Sequence, residues 1–144
     1  MTQQIDPQAF LRMGQEVLAQ QAFSRLLGAE LTALRRGHCT LEVPVRPELL
    51  QNNGFVHGGV LSYLADNALT YAGGTAMAVP VVTAEFKINY VRPAVGERLI
   101  ARAEAVAVSK SQAVCRCEVF ALNDGQEKLC ALAQGTIARL GGAT

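Results

Sequence analysis

Apolar side chains recur along this chain with two spacings, one typical of helices and one typical of strands. Helical spacing marks residues 7 to about 20, which follow the helix-start pair Asp6-Pro7, and residues 58 to about 76. A period near two marks six segments: 29–36, 39–46, 81–91, 98–108, 113–122 and 128–140. This order predicts an α+β fold, in which an antiparallel sheet of about six strands packs on one long helix after a short N-terminal helix.

Turn and loop residues fall between these segments. Gly37 separates the first two strands, and Asp124-Gly125 supplies the positive backbone angles that a hairpin between the last two requires. Pro44 cannot donate to a strand ladder, so we expect the second strand to lie at a sheet edge or to contain a bulge. Residues 47–57 have the composition of a loop. No linker or repeat divides the chain, which predicts a single domain over residues 1–144 with a helical extension at 1–23.

Composition narrows the classes of partner. Half of the 144 residues are apolar and 17% are charged, which excludes a disordered chain and favours an oligomer, because one small monomer would not normally bury so much apolar surface. The net charge of +1 argues against a nucleic-acid surface. The chain has no basic leader before an apolar run and no stretch of about twenty apolar residues, so we expect no membrane segment and a cytoplasmic protein.

The cysteines favour packing over chemistry. The four cysteines form no C-x-x-C pair, and only two histidines are present, so the sequence predicts no metal site. Cys115 and Cys117 are two positions apart in a predicted strand and therefore share a face. We expect them to be reduced thiols that pack as small apolar side chains.

One carboxylate stands alone in the long helix. Asp66 is the only Asp, Glu, Lys or Arg among the 36 residues between Glu48 and Glu85. A helix face turned to water usually carries several Lys and Glu, so this arc is expected to be covered by a second subunit or a ligand, which makes Asp66 a functional candidate. The alternative is an exposed arc that is merely short of other charges. The opposite, apolar arc consists of Val60, Leu61, Leu64, Ala65, Ala68, Leu69, Tyr71 and Ala72.

The turn before this helix is a second candidate element. Residues 51–59 end in His57-Gly58-Gly59 and lead directly into the helix, whose N-terminus presents free amides and positive partial charge. Such amides can stabilise an oxyanion by about 3 to 4 kcal/mol per donor, although a glycine pair also serves simply to form a tight turn. For His57 a structural role, in which the ring caps a loop carbonyl, is favoured over proton transfer.

The turn and the carboxylate are too far apart to act together within one helix. Asp66 follows His57 by nine residues, which corresponds to about 13 Å along a helix axis. One small reacting group cannot touch both. This spacing predicts a site between subunits, at which the turn of one chain meets the carboxylate of another.

These residues resemble the hotdog-fold thioesterases of the phenylacetic-acid-degradation and 4-hydroxybenzoyl-CoA type. The family's mark is a His-Gly-Gly turn followed by an acid nine positions after the His, here His57, Gly58, Gly59 and Asp66, within a match over residues 24–140. The resemblance implies a strongly curved antiparallel sheet wrapped around one long helix. It also implies a homodimer as the minimal unit, commonly paired into a homotetramer, with active sites at the dimer interface.

The resemblance also implies catalytic roles. Asp66 would be the nucleophile or the general base that activates water, the Gly58 amide would polarise the thioester carbonyl, and His57 would shape the turn. Three further polar side chains would lie near the carbonyl, the acid or its water: Gln51, Thr70 and Thr83. A helical threonine can equally spend its hydroxyl on a backbone carbonyl.

The expected substrate contacts follow from the chemistry of coenzyme A, the thiol part of the substrate. The turn at residues 109–112 resembles the place where relatives meet the nucleotide, with basic and hydroxyl groups at Lys110 and Ser111, and a second basic candidate is Arg92. The alternative for this turn is an ordinary solvated hairpin. The aromatic side chains that could line a pocket for an aryl ring or a medium-length alkyl chain are Phe55, Tyr63 and Tyr71. The contacts are completed by Asn53 and Gly59.

The predicted function is hydrolysis of an aryl- or medium-chain acyl-CoA to the free acid and coenzyme A, with no bound metal or redox cofactor. One alternative is a hotdog dehydratase or hydratase acting on acyl thioesters, but the Phe-Pro-Gly loop of such dehydratases is absent. The other is a non-catalytic acyl-CoA-binding protein. Residues 1–28 are too short and too neutral to hold the DNA-binding helix-turn-helix of an acyl-CoA sensor.

Overall fold

A curved sheet of six antiparallel strands wraps one long helix in the computed structural model, which describes residues 3–141. The helices are α1 (Pro7–Ala19), α2 (Ala22–Leu27) and α3 (Gly58–Met77). The strands are β1 (Glu30–Arg35), β2 (His38–Pro44), β3 (Val81–Tyr90), β4 (Arg98–Val108), β5 (Gln112–Asn123) and β6 (Gln126–Arg139), in the order β1-β2-β4-β5-β6-β3. The predicted fold is confirmed; the outermost ends of the predicted domain, residues 1–2 and 142–144, lie outside the described residues.

The core forms where α3 meets the concave face of the sheet. Every residue of the predicted apolar arc of α3 is buried, and Leu64 and Leu69 are fully so. Gly73, which is not part of that predicted arc, is buried as well. A Cβ atom at Gly73 would lie 2.7 Å from Cβ of Ile137 on β6, so this glycine lets the helix backbone approach the sheet closely.

Three local features differ from the sequence-based expectation. The helical extension does not end at residue 23, because α2 continues to Leu27, where Gly28 adopts the left-handed conformation that ends a helix. Six residues are too few to show a helical period. A 3-10 turn at Pro47–Leu49 interrupts the predicted loop. Pro44 marks neither an edge nor a bulge; it is the last residue of β2, an interior strand, at the end of its ladder.

The N-terminal helix α1 is fastened to α3 through Tyr71. The Tyr71 hydroxyl donates to the carbonyl oxygen of Gly14 at 2.8 Å, inside the core. Tyr71 is 9% exposed, so the expectation that it lines a substrate pocket is wrong; it joins two helices instead. The reason is that Tyr71 lies on the side of α3 that contacts α1, whereas Asp66 lies on the other side of the helix.

Residues 3–141 contain neither a helix that could span a membrane nor a cluster of metal-ligating side chains. No helix in this part of the chain is both long and apolar enough to cross a bilayer. Within the same residues, no group of three or more His, Cys, Asp or Glu side chains is arranged to hold a metal ion.

All four cysteines are buried free thiols, as predicted for Cys115 and Cys117. Burial raises the pKa of the Cys115 thiol to about 11, and burial together with the neighbouring Glu118 carboxylate raises that of Cys117 to about 12. Burial also raises the pKa of the Cys39 and Cys130 thiols. A group whose pKa lies above the ambient pH stays protonated, so these cysteines carry little thiolate at pH 8.

We therefore expect the native protein to react very slowly with a chromogenic thiol reagent at pH 8, since the thiolate is the reacting form and the core excludes the reagent. The measurement compares absorbance with time for native and denatured protein. In denaturant all four cysteine thiols should become exposed and react promptly with the reagent. Rapid stoichiometric labelling of the native protein would contradict the burial described here.

Candidate active site

Asp66 lies midway along α3 and is held by hydroxyl groups. Thr83 Oγ1, on β3, donates to Asp66 Oδ1 at 2.6 Å. Thr70 Oγ1 lies 3.0 Å from Thr83 Oγ1 and 2.9 Å from the Asp66 carbonyl oxygen. Each hydroxyl has one proton, and the Thr83 proton goes to the carboxylate. The single Thr70 proton is therefore shared between the Asp66 carbonyl oxygen and Thr83 Oγ1. Asp66 Oδ2 has no hydrogen-bond partner among residues 3–141, so one carboxylate oxygen is fixed and the other is open.

A β-bulge directs Thr83 toward Asp66. The pairing of β3 with β6 shifts between Thr83 and Glu85, which leaves one extra residue, Ala84, in β3. Side chains normally alternate between the two faces of a strand, and one extra residue reverses that alternation. Val81 and Thr83 before the bulge and Phe86 and Ile88 after it therefore all face α3. Without the bulge, Thr83 and these apolar residues could not share a face.

His57 forms a hydrogen bond with only one of the two glycine amides of the turn. It is the N-cap of α3, and its Nδ1 accepts from the Gly59 N–H at 2.8 Å. The expectation that the ring caps a loop carbonyl is wrong: the ring accepts a backbone amide, so Nδ1 carries no proton. The Gly59 amide is thereby occupied, whereas the Gly58 amide has no partner within the described chain. Gly58 is thus the amide of this pair that can serve a ligand.

Residues of the preceding loop gather around Gly58. Gln51 and Phe55 border one cavity with Gly58 and Arg92, with a volume of about 370 Å³. The Gln51 backbone N–H donates to the Phe55 carbonyl at 2.8 Å, and its side-chain Oε1 accepts from the Asn53 N–H. The side-chain carbonyl oxygen of Gln51 is therefore occupied by a hydrogen bond within the loop. The side-chain NH₂ group remains available to a ligand. The Asn53 side chain is exposed.

Tyr90 is a site residue that the sequence did not single out. Its hydroxyl donates to the Gly58 carbonyl oxygen at 3.0 Å. Its ring would lie 3.3 Å from a Cβ at Gly58, so the glycine makes room for this contact. Tyr90 is the last residue of β3, and its sequence position gave no signal because the contact depends on how β3 passes the start of α3. Tyr90 positions the first turn of α3.

Helix α2 covers part of the polar arc of α3. The Tyr63 hydroxyl donates to Ser24 Oγ at 2.6 Å, and Asn67 Nδ2 donates to the Tyr63 hydroxyl oxygen at 3.1 Å. The arc was expected to be covered by a second subunit or a ligand, but its Tyr63 and Asn67 positions are covered by a helix of the same chain. Tyr63 nevertheless borders the cavity that holds Asp66. Nothing in the sequence pattern signalled Ser24.

Within one chain, the candidate residues form two separate groups. Asp66, Thr70 and Thr83 border a cavity of about 410 Å³ that shares no lining residue with the cavity of Gly58 and Gln51. Lys110 and Ser111 lie in the turn between β4 and β5 and border neither cavity. Ser109 Oγ accepts from the Gln112 N–H in that turn at 3.2 Å. The turn at Gly58 and the carboxylate of Asp66 therefore border separate cavities within one chain.

Comparison of sequences identifies the family. The sequence model of the thioesterase superfamily matches residues 53–128, more than half of the chain. The acyl-coenzyme A thioesterase PaaI of Escherichia coli K12 is 29% identical over 122 residues, which are 84% of this chain and 84% of that protein. A 1,4-dihydroxy-2-naphthoyl-CoA hydrolase of Listeria monocytogenes is 25% identical over 114 residues, covering 78% of this chain and 90% of that protein.

Solved structures agree with the sequence matches. A thioesterase family protein from Silicibacter pomeroyi superposes with a TM-score of 0.84 at 32% identity, covering 92% of this chain and 97% of that one. The E. coli PaaI protein superposes with a TM-score of 0.83 at 25% identity, covering 95% and 97%. Fold, motif and relatives lead to the same conclusion: this chain belongs to the thioesterase superfamily and is a thioester hydrolase with the hotdog fold.

Proposed function

We propose that this enzyme hydrolyses an aryl- or medium-chain acyl-CoA thioester to the free acid and coenzyme A. Asp66 acts as the general base or nucleophile, and the Gly58 amide forms the oxyanion hole. The observation that carries the proposal is the state of Asp66: one oxygen is held by Thr83 at 2.6 Å, the other has no hydrogen-bond partner among residues 3–141, and the residue borders a cavity. Two relatives, an acyl-CoA thioesterase and a dihydroxynaphthoyl-CoA hydrolase, support a CoA thioester as substrate.

The chemistry needs only water and the groups described. As a base, Asp66 takes a proton from water while the oxygen of that water attacks the thioester carbon. The Gly58 N–H stabilises the resulting oxyanion, the C–S bond breaks, and the thiolate recovers the proton from Asp66. As a nucleophile, the Asp66 carboxylate attacks the thioester carbon, the C–S bond breaks and the thiolate leaves. Water then hydrolyses the mixed anhydride, which releases the acid, restores the Asp66 carboxylate and supplies the proton that the thiolate takes up. Neither route uses a metal or a redox cofactor.

The complete site is proposed to lie in a homodimer, itself paired into a homotetramer. Strand β3 is a sheet edge of ten residues, and an open edge of this length is a template for pairing with another chain. Thr83 lies on this strand and Tyr90 ends it, beside Gly58. A second copy paired along β3 would approach both halves of the site, which supports an active site shared by two chains.

The remaining candidates are assigned to binding. Gln51 offers its NH₂ group to the carbonyl or to water, and Arg92 and Phe55 border the same cavity as Gly58. Lys110 and Ser111 provide a charge and a hydroxyl for the phosphates of coenzyme A. The assignment of these two residues rests on family resemblance.

Asp66→Asn preserves the shape of the side chain but removes its charge and basicity. We expect it to lower kcat/KM by about 10²–10⁴-fold, the usual contribution of a positioned base. The measurement follows thiol release from aryl-acetyl, benzoyl, short-chain and medium-chain acyl-CoA. An unchanged oligomer size and Tm serve as the control for folding. Retention of most of the activity would remove Asp66 from the mechanism.

Gly58→Pro tests the oxyanion donor, because proline has no N–H. Gly58 is the first residue of α3, where proline suits a helix, and His57 already has the extended backbone that a following proline requires (φ −59°, ψ 134°). Removing the donor should lower kcat by about 10²–10³-fold. Gly58→Ala is the matched control, since it adds a Cβ beside Tyr90 but keeps the N–H. Equal losses in the two variants would assign the effect to crowding instead of to the amide.

Mixing Asp66→Asn and Gly58→Pro subunits tests whether two chains share a site. If the turn of one chain serves the carboxylate of the other, each mixed dimer contains one intact site and one doubly impaired site. Co-expression with two affinity tags, purification of the mixed dimer and the thiol-release assay should then recover up to about half of the wild-type activity per dimer. A mixed dimer as inactive as its parents would place each site within one chain.

A further inference from the structure

Phe23 is a large aromatic side chain on α2 that is exposed yet held in place. It is 58% exposed, and its ring meets the ring of Tyr63 edge-on, with centroids 5.3 Å apart and planes at 86°. Edge-to-face pairs of this kind are attractive beyond the area they bury. The Tyr63 ring is itself fixed by the hydrogen bond of its hydroxyl to Ser24. The exposed part of the Phe23 ring is therefore an apolar surface in a defined position.

Polar contacts at both ends fix α2 on the protein. The α2 anchor comprises Gln21, Ser24, Tyr63 and Asn67: Ser24 Oγ donates to Gln21 Oε1 at 2.6 Å and accepts from Tyr63, while Asn67 Nδ2 donates to both Tyr63 and Gln21. At the other end, the Arg46 guanidinium donates to the carbonyl oxygens of Leu26 and Leu27. A six-residue helix has no appreciable stability alone, so these contacts determine where Phe23 stands.

The α2 anchor adjoins Asp66 directly. Tyr63 precedes Asp66 by three residues and Asn67 follows it by one, so all three lie on the same arc of α3. Ser24 is 1% exposed and is the one polar residue in the described chain that is fully buried. The α2 anchor favours one geometry, because breaking its contacts to Ser24 would leave a buried hydroxyl unpaired. The side of the Asp66 cavity formed by the α2 anchor is therefore held by hydrogen bonds.

Phe23 lines two cavities, one that contains Asp66 and one beside the start of α3. It borders the Asp66 cavity, where Thr83 borders the same space from β3. It also borders an adjoining cavity of about 310 Å³ beside His57 and Gly59. An acyl group whose carbonyl carbon lies within reach of Asp66 would enter the Asp66 cavity. The lining of that cavity includes the apolar side chains of Ala22 and Phe23 beside the residues of the α2 anchor.

From this arrangement we infer that Phe23 contacts the acyl group of the substrate and limits its length and bulk. This inference rests on the proposed function, because it assumes that a thioester carbonyl is attacked at Asp66. The occupant is the apolar part of an acyl group, a ring or chain that packs on the Phe23 ring. Removing that ring joins the two cavities and admits larger acyl groups; enlarging it excludes them.

The test compares acyl groups within each variant. For wild type, Phe23→Ala and Phe23→Trp, kcat/KM is measured for acyl-CoA substrates of increasing length and ring size, and the ratio of the largest to the smallest substrate is calculated. Phe23→Ala should raise that ratio at least about tenfold and Phe23→Trp should lower it, since a few methylenes in an apolar pocket discriminate on that scale. Leu26→Ala is the matched control: Leu26 is on the same helix, is 66% exposed, and borders neither cavity.

The outcomes separate the inference from the proposed function. An active enzyme in which both Phe23 variants keep the wild-type ratio overturns the assignment of Phe23 and leaves the role of Asp66 intact. A wild-type enzyme that hydrolyses no member of the series overturns the proposed function, and this inference with it. Equal changes in Phe23→Ala and Leu26→Ala would assign the effect to α2 in general and also overturn the inference. Should Phe23→Ala have a lowered Tm, Phe23→Leu provides the same comparison with more of the apolar contact kept.

Discussion

The packing of α3 against the sheet is the constraint on which the candidate site depends. The apolar arc of α3 is buried, and at Gly73 the helix backbone lies so close to Ile137 that no side chain fits between them. Rotation of α3 about its axis would withdraw several fully buried side chains from the core, at roughly 1.5–3 kcal/mol each. The direction in which Asp66 faces is thus set by its apolar neighbours, and β3 then brings Thr83 to it.

Long periodic elements were predictable from the sequence, whereas contacts between elements were not. The apolar arc of α3 and the isolation of Asp66 follow from a spacing that one helix imposes by itself. The side on which Thr83 faces depends on a bulge in the pairing of β3 with β6, which no local pattern encodes. Tyr90 and Ser24 became visible only in the structure, because their partners are 32 and 39 residues away. Helix α2 is too short to show a period.

In three pairs of polar groups at the site, one group is hydrogen-bonded within the protein and the other is available to a ligand. His57 uses the Gly59 amide and leaves that of Gly58; Gln51 uses its carbonyl oxygen and leaves its NH₂; Thr83 uses one oxygen of Asp66 and leaves the other. In each case one group stabilises the local fold and its neighbour remains available. Groups fixed in this way need little reorganisation when charge develops, which is the basis of electrostatic preorganisation.

The buried cysteines have a consequence for an enzyme of this class. A thioester hydrolase releases a free thiol at every turnover. A protein thiolate that attacks the disulfide form of such a thiol becomes a mixed disulfide and expels the other half of the disulfide as a thiolate. Exchange requires a thiolate that the disulfide can reach, and in the described chain all four cysteines are buried, which raises the pKa of their thiols. Because its cysteines serve only as small core residues, the folded enzyme is protected from mixed-disulfide formation with the oxidised form of its own thiol product.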